Sequence, residues 1–238
     1  ITLKNMPREL GSKFRVININ PMDGTFELLA QQDAIKTNED GTETSDIKEW
    51  NNNYKDNKVE FFKMDDSGEA YNYDTKNVFQ KYEDSDADKF VNGLYDKLPE
   101  NIKQAVVGQN ITQYLYDNDY TQNDNSVPVA KRAISAQKNL YILDLKDIDD
   151  YKARYNSISN RKSAALAMFG NDDTHNNYTW LRSAYVNGTA SVFVANITET
   201  TIASSVLVKT VCRGTFASDS VCSYRPAFTL KLRYSMFE

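Results

Sequence analysis

The sequence predicts an α+β fold, and three observations support this prediction. Residues 14–19 and 26–29 alternate apolar and polar side chains around a turn at 21–24, as in a β-hairpin. The middle of the chain places apolar side chains at helical spacing, and from Tyr178 onward short runs rich in Val, Thr and aromatic residues indicate strands again. Because strands, helices and strands follow in that order, we expect a mixed or antiparallel sheet whose terminal strands pair, a flanking helix pair and long loops.

Two consecutive helices are predicted on either side of Pro99. Ser85 can cap the first helix, which Pro99 must end because proline has no N–H to continue the hydrogen-bond ladder. Pro99 then suits the first turn of a second helix that carries Ile102, Val106 and Val107. The apolar stripe of the first helix consists of Phe90, Leu94 and Leu98.

The second half of the chain contains a further predicted set of elements. Residues 140–143 form an apolar run typical of a buried strand, and Asp144 or the pair Lys146 and Asp147 can begin a short helix after it. Another helix is predicted at residues 161–169. Strands are predicted at residues 180–182, 190–194, 206–208 and 227–232.

The chain is predicted to be a single domain, residues 1–238, with a long insertion. No internal repeat and no linker rich in Pro, Gly or Ser divides it. The insertion spans about residues 37–80, where Asn, Asp, Lys and Gly are dense and aromatic side chains are scattered. The chain begins with Ile1 and not with Met, which suggests a processed protein or an excised fragment.

Composition argues against several classes of function. The net charge of -5 provides no basic field for phosphates, so nucleic acid is not an expected partner. No apolar run reaches the roughly 18 residues of a membrane span, and the mean hydropathy is -0.62. His175 is the single histidine, and the cysteines do not have zinc-ligand spacing. We therefore expect neither a metal nor a cofactor.

Two short motifs carry a resemblance to a known family. The run Trp180-Leu181-Arg182-Ser183 and the later run Arg225-Pro226-Ala227 with Leu230 resemble the W-L-R-S and R-P-A-x-x-L signatures of the bacterial domain of unknown function 6273. That family is similar in pattern to C-type-lectin-like and formylglycine-generating-enzyme-like folds. The resemblance implies a C-type-lectin-like domain over most of the chain.

The signature side chains are predicted to be structural. Trp180 offers a large apolar body, while Arg182 and Arg225 offer forked donors that can tie loops to carboxylates or carbonyl groups. Pro226 suits the beginning of an edge strand. The alternative is that the two arginines hold an anionic ligand.

The segment between the signatures, residues 184–223, is the predicted binding face. Its composition of Ala, Ser, Thr, Val, Asn, Tyr and Phe is typical of β-rich segments, and also of the stretch that retroelements diversify in C-type-lectin-like receptor-binding proteins. The β-rich interpretation is the simpler one. The predicted ligand contacts are Tyr185, Asn187, Phe193, Asn196 and Tyr224, because Tyr and Phe supply rigid apolar area and Asn supplies adaptable hydrogen bonds.

The two cysteines, Cys212 and Cys222, allow two interpretations. They can close a small loop as a disulfide in an oxidising compartment. Formylglycine-generating enzymes also use a late cysteine pair, which would imply an oxidase, but the flanking residues and the spacing of that family are not reproduced. No other nucleophile and base stand out, and spacing does not show which of the many carboxylates converge. We therefore predict a protein that is not an enzyme.

The sequence thus predicts an extracellular, cell-surface or virion-surface ligand-binding module for adhesion or receptor binding. The triplets that place calcium ligands in calcium-dependent lectins are absent. The ligand is expected to be a protein or a glycan on a cell surface, and the sequence carries no signal for an oligomeric state. The alternatives are the oxidase and a structural surface domain without a specific ligand.

Overall fold

The computed structural model describes residues 1–37, 40–44, 82–116, 132–159, 161–170, 178–185, 191–196, 206–210 and 222–231. Within these ranges the fold is α+β, as predicted. The strands are β1 (Phe14–Asn20), β2 (Thr25–Ala30), β3 (Lys36–Thr37), β4 (Glu43–Thr44), β5 (Gln109–Tyr116), β6 (Arg132–Lys138), β7 (Tyr178–Tyr185), β8 (Ser191–Asn196), β9 (Val206–Thr210), β10 (Cys222–Ser223) and β11 (Ala227–Lys231). The helices are α1 (Asp86–Asp96), α2 (Glu100–Lys103), α3 (Leu145–Arg154) and α4 (Arg161–Phe169).

One sheet joins the two ends of the described chain in the order β1-β2-β11. The predicted hairpin forms, with Gly24 at a φ of 65° in its turn, where a side chain would be strained. Strand β11 lies antiparallel to β2, with Ala227 opposite Leu29 and Lys231 opposite Thr25. The expectation that terminal strands pair is therefore confirmed.

A second sheet has the order β6-β5-β7-β8-β9. Its neighbours are antiparallel except that β5 runs parallel to β7. The two-residue strand β10 also pairs with β7 in parallel. Strands β7, β8, β9 and β11 were predicted, whereas β5 and β6 were not.

Local signals determine where the helices begin. The Ser85 hydroxyl accepts a hydrogen bond from the Asp88 amide at 3.1 Å and caps α1. Asp144 caps α3 in a reciprocal capping box with Asp147. Helix α4 spans the predicted residues.

The second helix is shorter than predicted. Helix α2 ends at Lys103, and the chain then turns toward β11. The Val107 amide donates to the Thr229 carbonyl at 2.9 Å, and Val106 forms a β-bridge with Leu230. The prediction that Val106 and Val107 are helical is wrong, because the Ala105 carbonyl and the Val107 amide on either side of Val106 form hydrogen bonds with β11.

Among the described residues, the buried apolar side chains form one cluster, to which both larger sheets and the helices contribute. Residues 140–143 are buried as predicted, but only Tyr141 of this run makes a β-bridge, to Ala227. The rings of Phe14 and Phe228 meet edge to face at 5.3 Å, and α4 packs on β1 and β2. Within the described ranges, no helix has the length and apolar character needed to cross a membrane.

Candidate functional site

Arg182 is the buried centre of the first signature motif. Its side chain is 3% exposed, and its Nε donates to the Thr112 carbonyl at 2.9 Å. Its Nη1 lies 2.9 Å from Asp147 Oδ2 and also donates to the Ile142 carbonyl. Burial lowers the pKa of this guanidinium, but the Asp147 and Asp144 carboxylates outweigh burial and raise it overall. Arg182 therefore remains charged and ties β7 to β5 and α3.

Asp144 lies beside this arginine and is fully buried. Its Oδ1 accepts from the Lys146 amide at 2.9 Å, and its Oδ2 accepts from the Tyr114 amide at 3.1 Å. Burial raises its pKa to about 6, although Arg182 acts in the opposite direction. The carboxyl group thus holds the start of α3 against β5.

Arg225 has the same kind of role in the second signature motif. Its Nε donates to Asp33 Oδ1 at 2.9 Å, and its Nη1 donates to the Phe169 carbonyl at 2.6 Å. The side chains of Arg225 and Asp33 are 1% and 4% exposed. The ion pair joins the end of β2, the end of α4 and the residues before β11.

A third ion pair lies between the helices. Arg161 Nε and Nη2 contact the two carboxylate oxygens of Asp149 at 2.6 and 2.8 Å. Both residues are buried, so this bidentate contact fixes α4 against α3. Sequence reasoning missed it, because an Asp and an Arg twelve positions apart give no signal of contact.

Comparison with known proteins identifies a family whose model covers both signature motifs. A family model described as a domain of unknown function, DUF6273, matches residues 45–232, which is most of the chain. The chain belongs to this family. The comparison with curated proteins found no match, and the comparison with solved structures found none either.

The predicted framework residues of this DUF6273 domain are all buried. Trp180 is 1% exposed and Arg225 is 2% exposed. Pro226 is also buried, and its carbonyl accepts from the Ala30 amide at 2.9 Å. The signature side chains that the structure describes therefore contact other parts of the same chain.

Most of the predicted ligand contacts fall where the structure gives no side-chain description. Tyr185 lies at the end of β7, while Phe193 and Asn196 lie in β8, and only their backbones are described. Asn187 lies outside the described residues. The roles of these four residues remain predictions.

Tyr224 differs from these four residues because the structure describes its side chain. Tyr224 is 2% exposed and its ring lies 5.9 Å from that of Phe90, so it belongs to the core and not to an accessible face. This burial does not favour the predicted ligand contact, because a ring packed in the core presents little surface to a partner. Cys222 pairs through its backbone with Tyr178, and Cys212 lies outside the described residues, so the disulfide remains a prediction.

The described residues also form a polar cleft that sequence reasoning missed. It has a volume of about 480 Å³ and lies between the β1–β2 hairpin, the beginning of β5 and the first turns of α3. Glu27, Tyr141, Arg182 and Thr229 are among its lining residues. We call this feature the hairpin cleft.

Glu27 is the central acceptor of the hairpin cleft. The Tyr141 hydroxyl donates to its Oε1 at 2.7 Å. Burial raises the pKa of Glu27, and the charge of Asp147 raises it further, whereas the bond from Tyr141 lowers it. The negative charge of Asp147 therefore acts on the Glu27 carboxyl group, a convergence that the spacing in the sequence did not show.

Proposed function

We propose that this DUF6273 domain is a ligand-binding module with a C-type-lectin-like fold, displayed outside the cell or on a virion for adhesion or receptor binding. In this proposal residues 184–223 present the binding face, and the domain carries out no chemistry of its own. The main support for the proposal is that this segment begins and ends in strands of the same sheet, β7 and β10.

The end of the segment lies beside the first residues of β7, the strand in which the segment begins. Strand β10 pairs with the beginning of β7, which places Ser223 opposite Thr179. The Thr179 hydroxyl donates to the Ser223 carbonyl at 3.4 Å. Arg182, just before the segment, and Arg225, just after it, are both buried in ion pairs. Buried contacts therefore anchor the chain on both sides of the segment.

This arrangement favours binding because recognition residues are commonly carried by segments that a rigid scaffold positions. Tyr185, Asn187, Phe193 and Asn196 are the proposed contacts, since aromatic and amide side chains provide contact area and hydrogen bonds at modest entropic cost. The first and last strands share a sheet, and a helix pair precedes the second sheet. These two features support the C-type-lectin-like assignment.

The test is to screen the intact chain against immobilised proteins and glycans and to compare three variants. Tyr185→Ala and Asn187→Ala should each weaken binding by about 1 to 2 kcal/mol while the protein melts at nearly the same temperature. Tyr155→Ala is the matched control, because Tyr155 is 44% exposed and lies outside the segment. Loss of binding in Tyr155→Ala alone, or no binding by folded protein on either array, would contradict the proposal.

A further inference from the structure

We propose that the hairpin cleft is a second binding site of this domain and that its ligand is a neutral, polyhydroxylated molecule such as a saccharide unit. The described lining residues lie outside the segment 184–223, so the inference does not depend on the proposed function. It rests on the size of the cleft, the chemistry of its walls, the balance of its charges and the fixed position of Glu27.

The size of the cleft suits a small ligand. Its volume of about 480 Å³ falls within the range of roughly 300 to 1,000 Å³ typical of small-molecule sites. Asn18 and Asn20 on the hairpin face Asn110 on β5 across it, and Asp147 and Asp150 on α3 form a third wall. Three separate elements thus enclose one space.

The walls are too polar for an apolar ligand. Two of the eighteen lining residues, Val107 and Ile111, are aliphatic. An apolar molecule would remove water from amides, hydroxyls and carboxylates without replacing their hydrogen bonds, which disfavours its binding. A sugar hydroxyl both donates and accepts, so it can bond to carboxylates and to side-chain amides.

The charged side chains that line the cleft nearly balance, with four carboxyl groups and three cations: Asp23, Glu27, Asp147 and Asp150, and Lys146, Arg182 and Lys231. Arg182 pairs with Asp147, and Lys146 pairs with Asp150 one helical turn away. An anionic ligand would approach Glu27, whose carboxyl group already interacts with the charges of Arg182 and Arg154. Metal is not favoured either, because no three ligating side chains of the His, Cys, Asp or Glu type converge in the described part of the chain. A neutral ligand disturbs this balance least.

Glu27 is held in place before any ligand arrives. It receives the hydrogen bond from Tyr141, whose backbone is fixed by the bridge to Ala227 with N–O distances of 3.0 and 2.7 Å. The Arg182 guanidinium lies 5.7 Å from the centre of the Tyr141 ring. An acceptor fixed in this way loses little conformational entropy on binding a hydroxyl group.

The experiment is to titrate the intact chain with neutral methyl glycosides, and with glucuronate and glucosamine as charged counterparts, by calorimetry and by NMR. We expect one or more neutral glycosides to bind and the charged sugars to bind more weakly. Glu27→Gln, which keeps the shape but replaces a carboxylate oxygen with an amide, should weaken binding at least tenfold. Glu9→Gln is the matched control, since Glu9 pairs with Lys97 outside the cleft, and it should bind normally.

A second variant keeps the test decisive if Glu27→Gln does not fold. Asn110 is exposed on the rim, so Asn110→Ala should fold normally and weaken binding severalfold. Unchanged binding in both variants, absence of binding by every neutral glycoside at millimolar concentration, or preference for a charged sugar would overturn the proposal. Tyr185→Ala should still bind the glycoside, which separates this site from the segment 184–223. A parallel glycan array distinguishes a free saccharide from the end of a surface glycan.

Discussion

Arg225→Met is expected to destabilise the domain strongly. The substitution keeps most of the apolar stem of Arg225 but removes the guanidinium group that contacts Asp33 and the Phe169 carbonyl. The carboxylate of Asp33, whose side chain is 4% exposed, would then lose the cation that contacts its Oδ1 at 2.9 Å. Removing one partner of a buried ion pair typically costs about 3 to 5 kcal/mol.

This cost is large relative to the stability of an ordinary domain, which is about 5 to 15 kcal/mol. For a chain of this size each kcal/mol lowers the melting temperature by roughly 2 to 4 °C, so the expected decrease is about 6 to 20 °C. The double variant Asp33→Asn with Arg225→Met leaves no uncompensated charge. It should therefore recover part of the stability that Arg225→Met loses.

Urea unfolding, monitored by tryptophan fluorescence and circular dichroism, measures these differences. Lys97→Met is the matched control, because it removes a cation from the Glu9 pair, in which the lysine side chain is 50% exposed. An exposed pair of this kind contributes about 0 to 1 kcal/mol. If Arg225→Met were no less stable than Lys97→Met, or if the double variant were no better than Arg225→Met alone, the buried pair would not be a framework contact.

Three further predictions concern the core, a buried carboxyl group and the cysteines. Trp180→Ala should lower the free energy of unfolding, measured in urea, by about 3 to 5 kcal/mol, because the side chain is 1% exposed. Trp180→Phe should lower it clearly less, and equal losses in the two variants would contradict this prediction. The folded pKa of Asp144, about 6, lies above the ordinary 3.8, so its contribution to stability is complete below pH 3.8 and is lost as the pH rises through 6. Asp144→Asn should flatten that part of the stability profile between pH 4 and 7, and an unchanged profile would refute the shift. Cys212 and Cys222 should form a disulfide that contributes roughly 2 to 3 kcal/mol, and alkylation of both thiols in the unreduced, folded protein, measured by intact mass, would rule it out.

Elements with local signals could be predicted from the sequence. The hairpin has alternating side chains and a glycine in its turn, while α1 and α3 begin at Ser85 and Asp144, whose side chains accept from the first free amides. These signals depend on residues a few positions apart. A prediction based on them therefore does not require knowledge of contacts with distant parts of the chain.

Strands β5 and β6 lacked such a signal. In β5 the buried positions include Gln113, which is 4% exposed and whose Oε1 accepts from the Tyr82 amide at 2.9 Å. A polar residue on the buried face interrupts the apolar alternation that would have identified the strand. A hydrogen bond from a backbone donor 31 positions away compensates the burial of this oxygen, and a short stretch of sequence around Gln113 does not include that partner.

The hairpin cleft could not be predicted either, because residues far apart in the sequence form it. One signature residue, Arg182, nevertheless lines it. Glu27 and Tyr141 are 114 positions apart and meet because Tyr141 bridges Ala227 on β11, which lies along β2. Arg182 was predicted to be framework, and it also lines the cleft and holds Asp147 there. One guanidinium thus serves both the fold and the shape of the cleft, so its loss would affect stability and ligand binding together. Glu27→Gln is the sharper test because it alters the acceptor and leaves the contacts of Arg182 with β5 and α3 in place.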